Sequence, residues 1–197
     1  MTSIANSSSP PCCSGCDPGR RQALQQLAAG ALSLGCGWAA AATPDDAPRA
    51  GDWLVPADAD NGNPLTVADL KANSKQLIAW PHDPAAKRNR DGSRLNRVLL
   101  VKLDPAALDA ETAPRAAEGV LAYSSICTHQ GCDVSAWRTQ EKTLLCFCHF
   151  SQFQPAAGAK VVAGPAPRPL PWLPLKSEGG RLVIAGGFNQ PPGGHQS

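Results

Sequence analysis

Two short segments concentrate the side chains that can bind a metal or carry electrons. They are Cys127-Thr128-His129-Gln130-Gly131-Cys132 and Cys146-Phe147-Cys148-His149-Phe150-Ser151, with the 16 residues Gln130 to Leu145 separating His129 from Cys146. Thiols and imidazoles at this density point to a metal site or a disulfide framework. A structural zinc site is one reading. Its weakness is that C-x-H with C-x-x-H is not a usual zinc spacing, and two further cysteines would be left without a role. A small domain held by disulfides alone is another, and it leaves both histidines unexplained. No nucleophile, general base or substrate pocket can be read anywhere in the chain.

The pair of segments resembles the two binding loops of Rieske iron-sulfur proteins, C-x-H-x-G-C and C-x-C-H-x-S, at the separation usual in that family. The likeness is strongest in these motifs and extends from about Gly119 to Ala185. It implies one [2Fe-2S] cluster, with Cys127 and Cys146 on one iron and His129 and His149 on the other, a substitution of imidazole for thiolate that raises the reduction potential. It further implies that Ser151 donates a hydrogen bond to the cluster. By the same resemblance, Cys132 and Cys148 form the disulfide that ties the two loops together in exported members, closing a loop worth about 3 kcal/mol in the chain-entropy description. The segment Gly164-Pro165-Ala166-Pro167-Arg168-Pro169-Leu170-Pro171 resembles the family's proline-rich cover over the cluster, and an ordinary rigid loop has the same composition.

Several positions depart from the pattern of quinol-oxidising members. Phe153 stands where those proteins place a tyrosine, Gln130 replaces the common leucine of the loop tip, Phe147 the usual proline and Phe150 the usual glycine. The His149-Phe150 step followed by Phe153 is similar to the small subunit of arsenite oxidase, and less close to the Rieske subunit of ubiquinol:cytochrome c reductase. The resemblance thus implies an electron-transfer subunit of an oxidoreductase, without a catalytic site of its own. Its redox partner would be a catalytic oxidoreductase subunit, a c-type cytochrome or, in the alternative, a membrane quinol-oxidising complex.

These loops need a rigid sheet beneath them. Short β-rich runs occur at Gln76–Trp80, Arg97–Leu103, Gly119–Ile126, Thr143–Phe147 and Lys160–Val162, each bounded by Gly, Pro or Asp. Leu173–Lys176 and Arg181–Ala185 face each other across Ser177-Glu178-Gly179-Gly180, whose glycines suit a hairpin turn. With 19 Pro, 18 Gly and 17% charged residues, the composition suits turn-rich β structure better than a helical bundle. The fold expected is all-β, an antiparallel sandwich or barrel of Rieske type carrying a subdomain of two cluster-binding loops. One short helix could occupy Pro105–Ala117, interrupted at Pro114. His82, in Trp80-Pro81-His82-Asp83-Pro84, reads as a surface loop residue.

The N-terminus reads as an export signal: Ser-rich start, twin arginines Arg20-Arg21, the apolar run Leu27 to Ala42, and small residues before Thr43-Pro44. The twin arginines point to Tat export of a protein already folded around its cofactor, hence to a periplasmic location that permits a disulfide. The competing reading is an uncleaved anchor to the inner membrane, disfavoured by Gly30, Gly35 and Gly37 and by a run short of the ~20 apolar residues a span needs. Cys12, Cys13, Cys16 and Cys36 then fall in the discarded segment. The organisation expected is signal 1–42, irregular linker 43–65, domain 66–188 and disordered tail 189–197, the tail's His195 being no ligand candidate. The net charge is +2, and +1 without residues 1–42, so charge makes no case for nucleic acid.

Overall fold

The computed structural model describes residues 47–58 and 62–194. Segment 1–42, where an export signal is expected, therefore lies outside the described residues, as do His195 to Ser197.

Among the described residues, twelve strands form two antiparallel sheets: β1 (Trp53–Pro56), β2 (Leu77–Asp83), β3 (Arg88–Asn89), β4 (Val98–Lys102), β5 (Val120–Ser124), β6 (Ala136–Arg138), β7 (Thr143–Leu145), β8 (Gln152–Gln154), β9 (Lys160–Ala163), β10 (Trp172–Leu173), β11 (Leu175–Glu178) and β12 (Arg181–Ile184). The larger sheet runs β10-β5-β4-β2-β1-β12-β11, with β3 added on β2, and the smaller runs β6-β7-β8-β9. Strands β10 and β11 end the path on opposite sides, yet only Pro174 separates them in the chain. The sheet must therefore curl round towards closure, giving a near-barrel.

Strands β4 and β5 explain why the protein has two cores. Their side chains alternate faces, as in any strand, but here both faces are buried. Val98 and Leu100 of β4 and Val120 and Ala122 of β5 join Leu54, Leu65, Leu173, Leu182 and Ile184 inside the curled sheet. Leu99, Val101, Leu121 and Tyr123 point the other way, into a second core with Leu144 and Phe153 of the small sheet and Leu170. Strands buried on both sides must be continuously apolar, which is why VLLV and VLAY read clearly in the sequence. Each fully buried Leu or Phe contributes about 1.5–3 kcal/mol by apolar transfer.

Four expectations need correction. The supposed linker 43–65 contains β1, which pairs with β2 from Trp53↔His82 to Pro56↔Ala79 and with β12 at Trp53↔Val183. Asp52, just ahead of it, is buried in an ion pair: Arg90 donates through Nε to Asp52 Oδ2 at 2.7 Å and through Nη2 to Asp52 Oδ1 at 3.0 Å and to Asp83 Oδ2 at 2.9 Å. Those Asp52 bonds hold the Arg90 guanidinium charged beyond its usual range. In place of a helix over 105–117 there are two single 3-10 turns, Pro105–Ala107 and Ala113–Arg115; the chain turns extended at Leu108 after the first, and Pro114 has no N–H with which to join a ladder from it. His82 lies within β2, stacked on Trp53 at 6.0 Å between ring centroids, since pairing with β1 and β3 extends the strand past Pro81.

The fourth correction concerns the tail. Residues 189–194 are held in place: Trp172 N–H donates to Asn189 Oδ1 at 2.8 Å, and Arg168 Nη2 donates to the carbonyls of Pro191 at 2.9 Å and Gly193 at 3.1 Å. The final hairpin is also tighter than expected. Glu178 pairs directly with Arg181, and Gly179 and Gly180 turn the chain with φ of 58° and 81°, as a two-residue turn with positive φ at both positions requires.

Candidate metal centre

Two loops project from strand ends and meet. The first leaves β5. Val134 N–H closes back on Ser125 O at 2.8 Å, Cys127 N–H on Cys132 O at 2.7 Å, and Gly131 N–H on Cys127 O at 3.0 Å. Ile126, directly before Cys127, is fully buried, so the loop is anchored at its root. Gly131 takes φ of +76° at the tip, a conformation that favours glycine. The second loop connects β7 to β8 and is closed by Cys146 N–H donating to Ser151 O at 3.0 Å. Phe150 adopts φ of +59° there, where an L residue is uncommon; this is the position at which the resembled family carries glycine.

The closing of these loops brings the chemistry-bearing side chains together. Cys127 and Cys146 are the two free cysteines among the described residues, both buried, and the Ser151 hydroxyl favours the Cys127 thiolate while the neighbouring Cys146 opposes it. Burial pushes the Cys127 thiol up to about 11, so the site keeps it protonated until a cation is present to favour the thiolate. The rings of His129 and His149 lie 4.5 Å apart between centroids, edge to face at 89°. Nδ1 of His129 is buried with no hydrogen-bond partner, while His149 is exposed, flanked by Phe147 at 59% and Phe150 at 64% exposure.

Cys132 and Cys148 form a disulfide with Cα atoms 6.5 Å apart, as the resemblance implied. It joins the two loops covalently. The Cys146 sulfur lies within 4.8 Å of both disulfide sulfurs, but two bonded sulfurs are not thiolate ligands, so this trio is not a metal site. The donor set left over is two buried thiols and two convergent imidazoles. An orphaned ring nitrogen and two buried thiols are what an S2N2 site presents without its metal, and that set fits a [2Fe-2S] cluster with two thiolates on one iron and two imidazoles on the other.

A third segment covers the pair. Ala166 N–H donates to Ser151 Oγ at 3.2 Å, and Thr128 Oγ1 donates to Arg168 O at 2.6 Å. At Gly164, φ +83°, a Cβ would fall 2.5 Å from Ser151 Cα, so only glycine lets the cover approach the second loop this closely. Ser151 is fully buried, and so is Phe153, which packs in the second core. Sequence reasoning named Ser151 and the cover but missed Thr128 and Gly164. Both sit inside segments already singled out, and their partners lie about 40 and 13 residues away in the chain.

Residues 100–174 match the Rieske [2Fe-2S] domain. A Haloferax mediterranei protein named as the Rieske subunit of a respiratory nitrate reductase is 44% identical over 148 residues, 73% of this chain and 62% of that protein. The cytochrome bc1 complex Rieske iron-sulfur subunit of Streptomyces lividans is 39% identical over 98 residues, 49% of this chain and 58% of its own length. The chain thus spans about three fifths of these two curated relatives. Among solved structures, the cyanobacterial plasma membrane Rieske protein of Synechocystis is 28% identical, covering 60% of this chain and 93% of that one at a TM-score of 0.39. Members of this family bind one [2Fe-2S] cluster, and this chain carries a domain of the Rieske [2Fe-2S] family.

Proposed function

We propose that Cys127 and Cys146 hold one iron and His129 and His149 the other, and that the protein is a periplasmic subunit relaying single electrons between a partner oxidoreductase and a c-type cytochrome or similar carrier. The observation that carries this reading is the asymmetry of the site: both thiols are buried, while the His149 imidazole is exposed between two exposed phenylalanines. The cluster, when bound, passes one electron at a time at a potential set by its ligands and by hydrogen bonds to its sulfurs.

The chain's own residues supply the rest. The Ser151 hydroxyl, which favours a charged Cys127 sulfur, would donate to it, and such a bond favours the more negative, reduced state. The Ala166 and Arg168 backbone pins the cover on Ser151 and Thr128, which keeps water from the buried thiols. His149 offers its outward ring nitrogen to a partner, and Phe147 and Phe150 provide the apolar rim that a transient redox contact desolvates. The Haloferax relative named as a nitrate reductase subunit supports a partner of that kind, a catalytic oxidoreductase.

A second reading, the Rieske subunit of a quinol:cytochrome c reductase, is favoured by the relatives named as bc1 complex subunits. Phe153 weighs against it, because a buried phenylalanine offers no hydroxyl where quinol-oxidising members place a tyrosine. A redox titration followed by electron paramagnetic resonance, on soluble and membrane fractions of the native host, separates the two. A rhombic Rieske signal in the soluble fraction, well below the top of the family's range of about −150 to +300 mV, supports the relay. The same signal near the top of that range and in the membrane fraction overturns it in favour of quinol oxidation, and no signal overturns both.

A further inference from the structure

The C-terminal segment 189–194 runs across the tip of the first cluster loop, and its fit there is too close to be incidental. A Cβ on Gly194 would lie 2.5 Å from the Gly131 nitrogen, 2.7 Å from the Gln130 carbonyl carbon and 2.9 Å from Gln130 Cα. A Cβ built on Gly131 would stand 3.7 Å from Gly194 N and 3.9 Å from Ile126 Cγ2, in ordinary contact, so the close approach is made from the Gly194 side. Backbone therefore lies on backbone at the turn between His129 and Cys132, an approach only glycine permits.

The same segment is fastened to the cover. Arg168 Nη2 donates to Pro191 O and Gly193 O, at 2.9 and 3.1 Å, and Gln190 Nε2 donates to Pro169 O at 3.4 Å. The carbonyl of Arg168 itself accepts from Thr128 Oγ1, at 2.6 Å, one residue before His129. Arg168 thus grips the C-terminal segment with its side chain and the first loop with its backbone. At its other end the segment is tied to β10, with Asn189 N–H donating to Trp172 O at 3.1 Å.

We propose that residues 189–194 form a strap that fixes the His129 loop against the proline-rich cover, with Gly194 and Arg168 as positioning residues for the His129 imidazole. The proposal rests on the assignment of His129 as a cluster ligand. The strap packs on the Gln130–Gly131 turn, while the Cys132–Cys148 disulfide ties the end of the same loop to the second loop. Losing it frees the imidazole's backbone without touching any ligand.

The test compares the full-length, cluster-loaded wild type with Gly194→Val, Arg168→Met, Arg168→Lys and a chain stopped after Asn189, which keeps the anchor to β10. Three readouts are taken: the paramagnetic line shape, the rate of cluster loss to an iron chelator, and amide hydrogen exchange at Gln130–Cys132. The expectation is about tenfold faster cluster loss and exchange at those three amides in the valine, methionine and truncated variants, with an altered line shape, because local opening scales with the hydrogen bonds and contacts removed. Arg168→Lys, which can still reach one carbonyl, recovers part of the difference. Wild-type loss rates, exchange and line shape in the truncated chain overturn the strap, whether or not Gly194→Val folds. A normal Rieske spectrum from a His129→Ala variant overturns the ligand assignment beneath it, an outcome the strap variants cannot mimic.

Discussion

Replacing Ser151 by alanine separates two jobs done by one hydroxyl. Ser151 is fully buried; its oxygen accepts from Ala166 N–H at 3.2 Å, and in the proposed assignment its hydroxyl donates to the Cys127 sulfur, whose charged form it favours. A hydrogen bond to a charged group contributes about 1.5 kcal/mol, and for a one-electron couple 59 mV corresponds to a tenfold change, or about 1.4 kcal/mol. Because the bond is worth more to the reduced, more negative state, its loss lowers the reduction potential by roughly 60 mV if the whole difference is felt there. The Ala166 N–H is left buried without an acceptor, which costs about 1–3 kcal/mol of stability. Redox titration and urea denaturation of the same preparation read the two effects independently. A potential unchanged to within about 10 mV, with stability lost as expected, would refute the donor role and leave Ser151 only as the peg of the cover.

Other perturbations have signs fixed by the structure. Converting Cys132 and Cys148 together to serine opens a loop of sequence separation 16 and is expected to lower unfolding free energy by about 3 kcal/mol, read from the urea midpoint; an unmoved midpoint counts against the entropic account. Asp52→Asn strips Arg90 of its principal partner in a buried pair and should cost about 3 kcal/mol, even though Asp83 remains; a thermal melt shifted by less than a degree would contradict it. At Asp133, burial alone would raise the carboxyl, but hydrogen bonds from Arg94 and Arg97 outweigh it and hold it below 3.8. Its contribution is therefore complete above the unfolded carboxylate range near pH 4 and fades as pH falls through the lower folded value. Asp133→Asn should flatten that acid limb and leave stability at higher pH lower than wild type, as measured by denaturation between about pH 6 and 2.5.

What could be read from the chain and what could not divides along physical lines. The two loops that meet at the candidate site were legible because ligand chemistry admits few residue types and fixes their spacing, so six positions single them out without knowledge of the fold. Strands β4 and β5 were legible because burial on both faces demands an unbroken apolar run. Strand β1 was not: Trp53–Pro56 is four residues long, sits among Pro, Asp and Gly, and owes its place to partners near 80 and 183. Strands β6 and β8, three residues each, carry too little periodicity to register. The 189–194 segment has a composition that reads as disorder, and what orders it is a glycine-on-glycine approach and an arginine remote in sequence. The disulfide was inferred from resemblance rather than from the residues themselves, since spacing alone does not choose among pairings.

Strands β4 and β5 carry the inner core on one face and the second core on the other, and the second core includes Cys127 and Cys146. A wall shared in this way leaves no seam along which the metal-bearing half could melt by itself. The described domain should behave as a single cooperative unit in which the β4 and β5 amides exchange only through its global opening. Metal occupancy and fold are then thermodynamically linked: every increment of affinity for iron adds to the free energy of the whole barrel, and a weakened Leu182 on the far side of the sheet becomes a route to losing the metal.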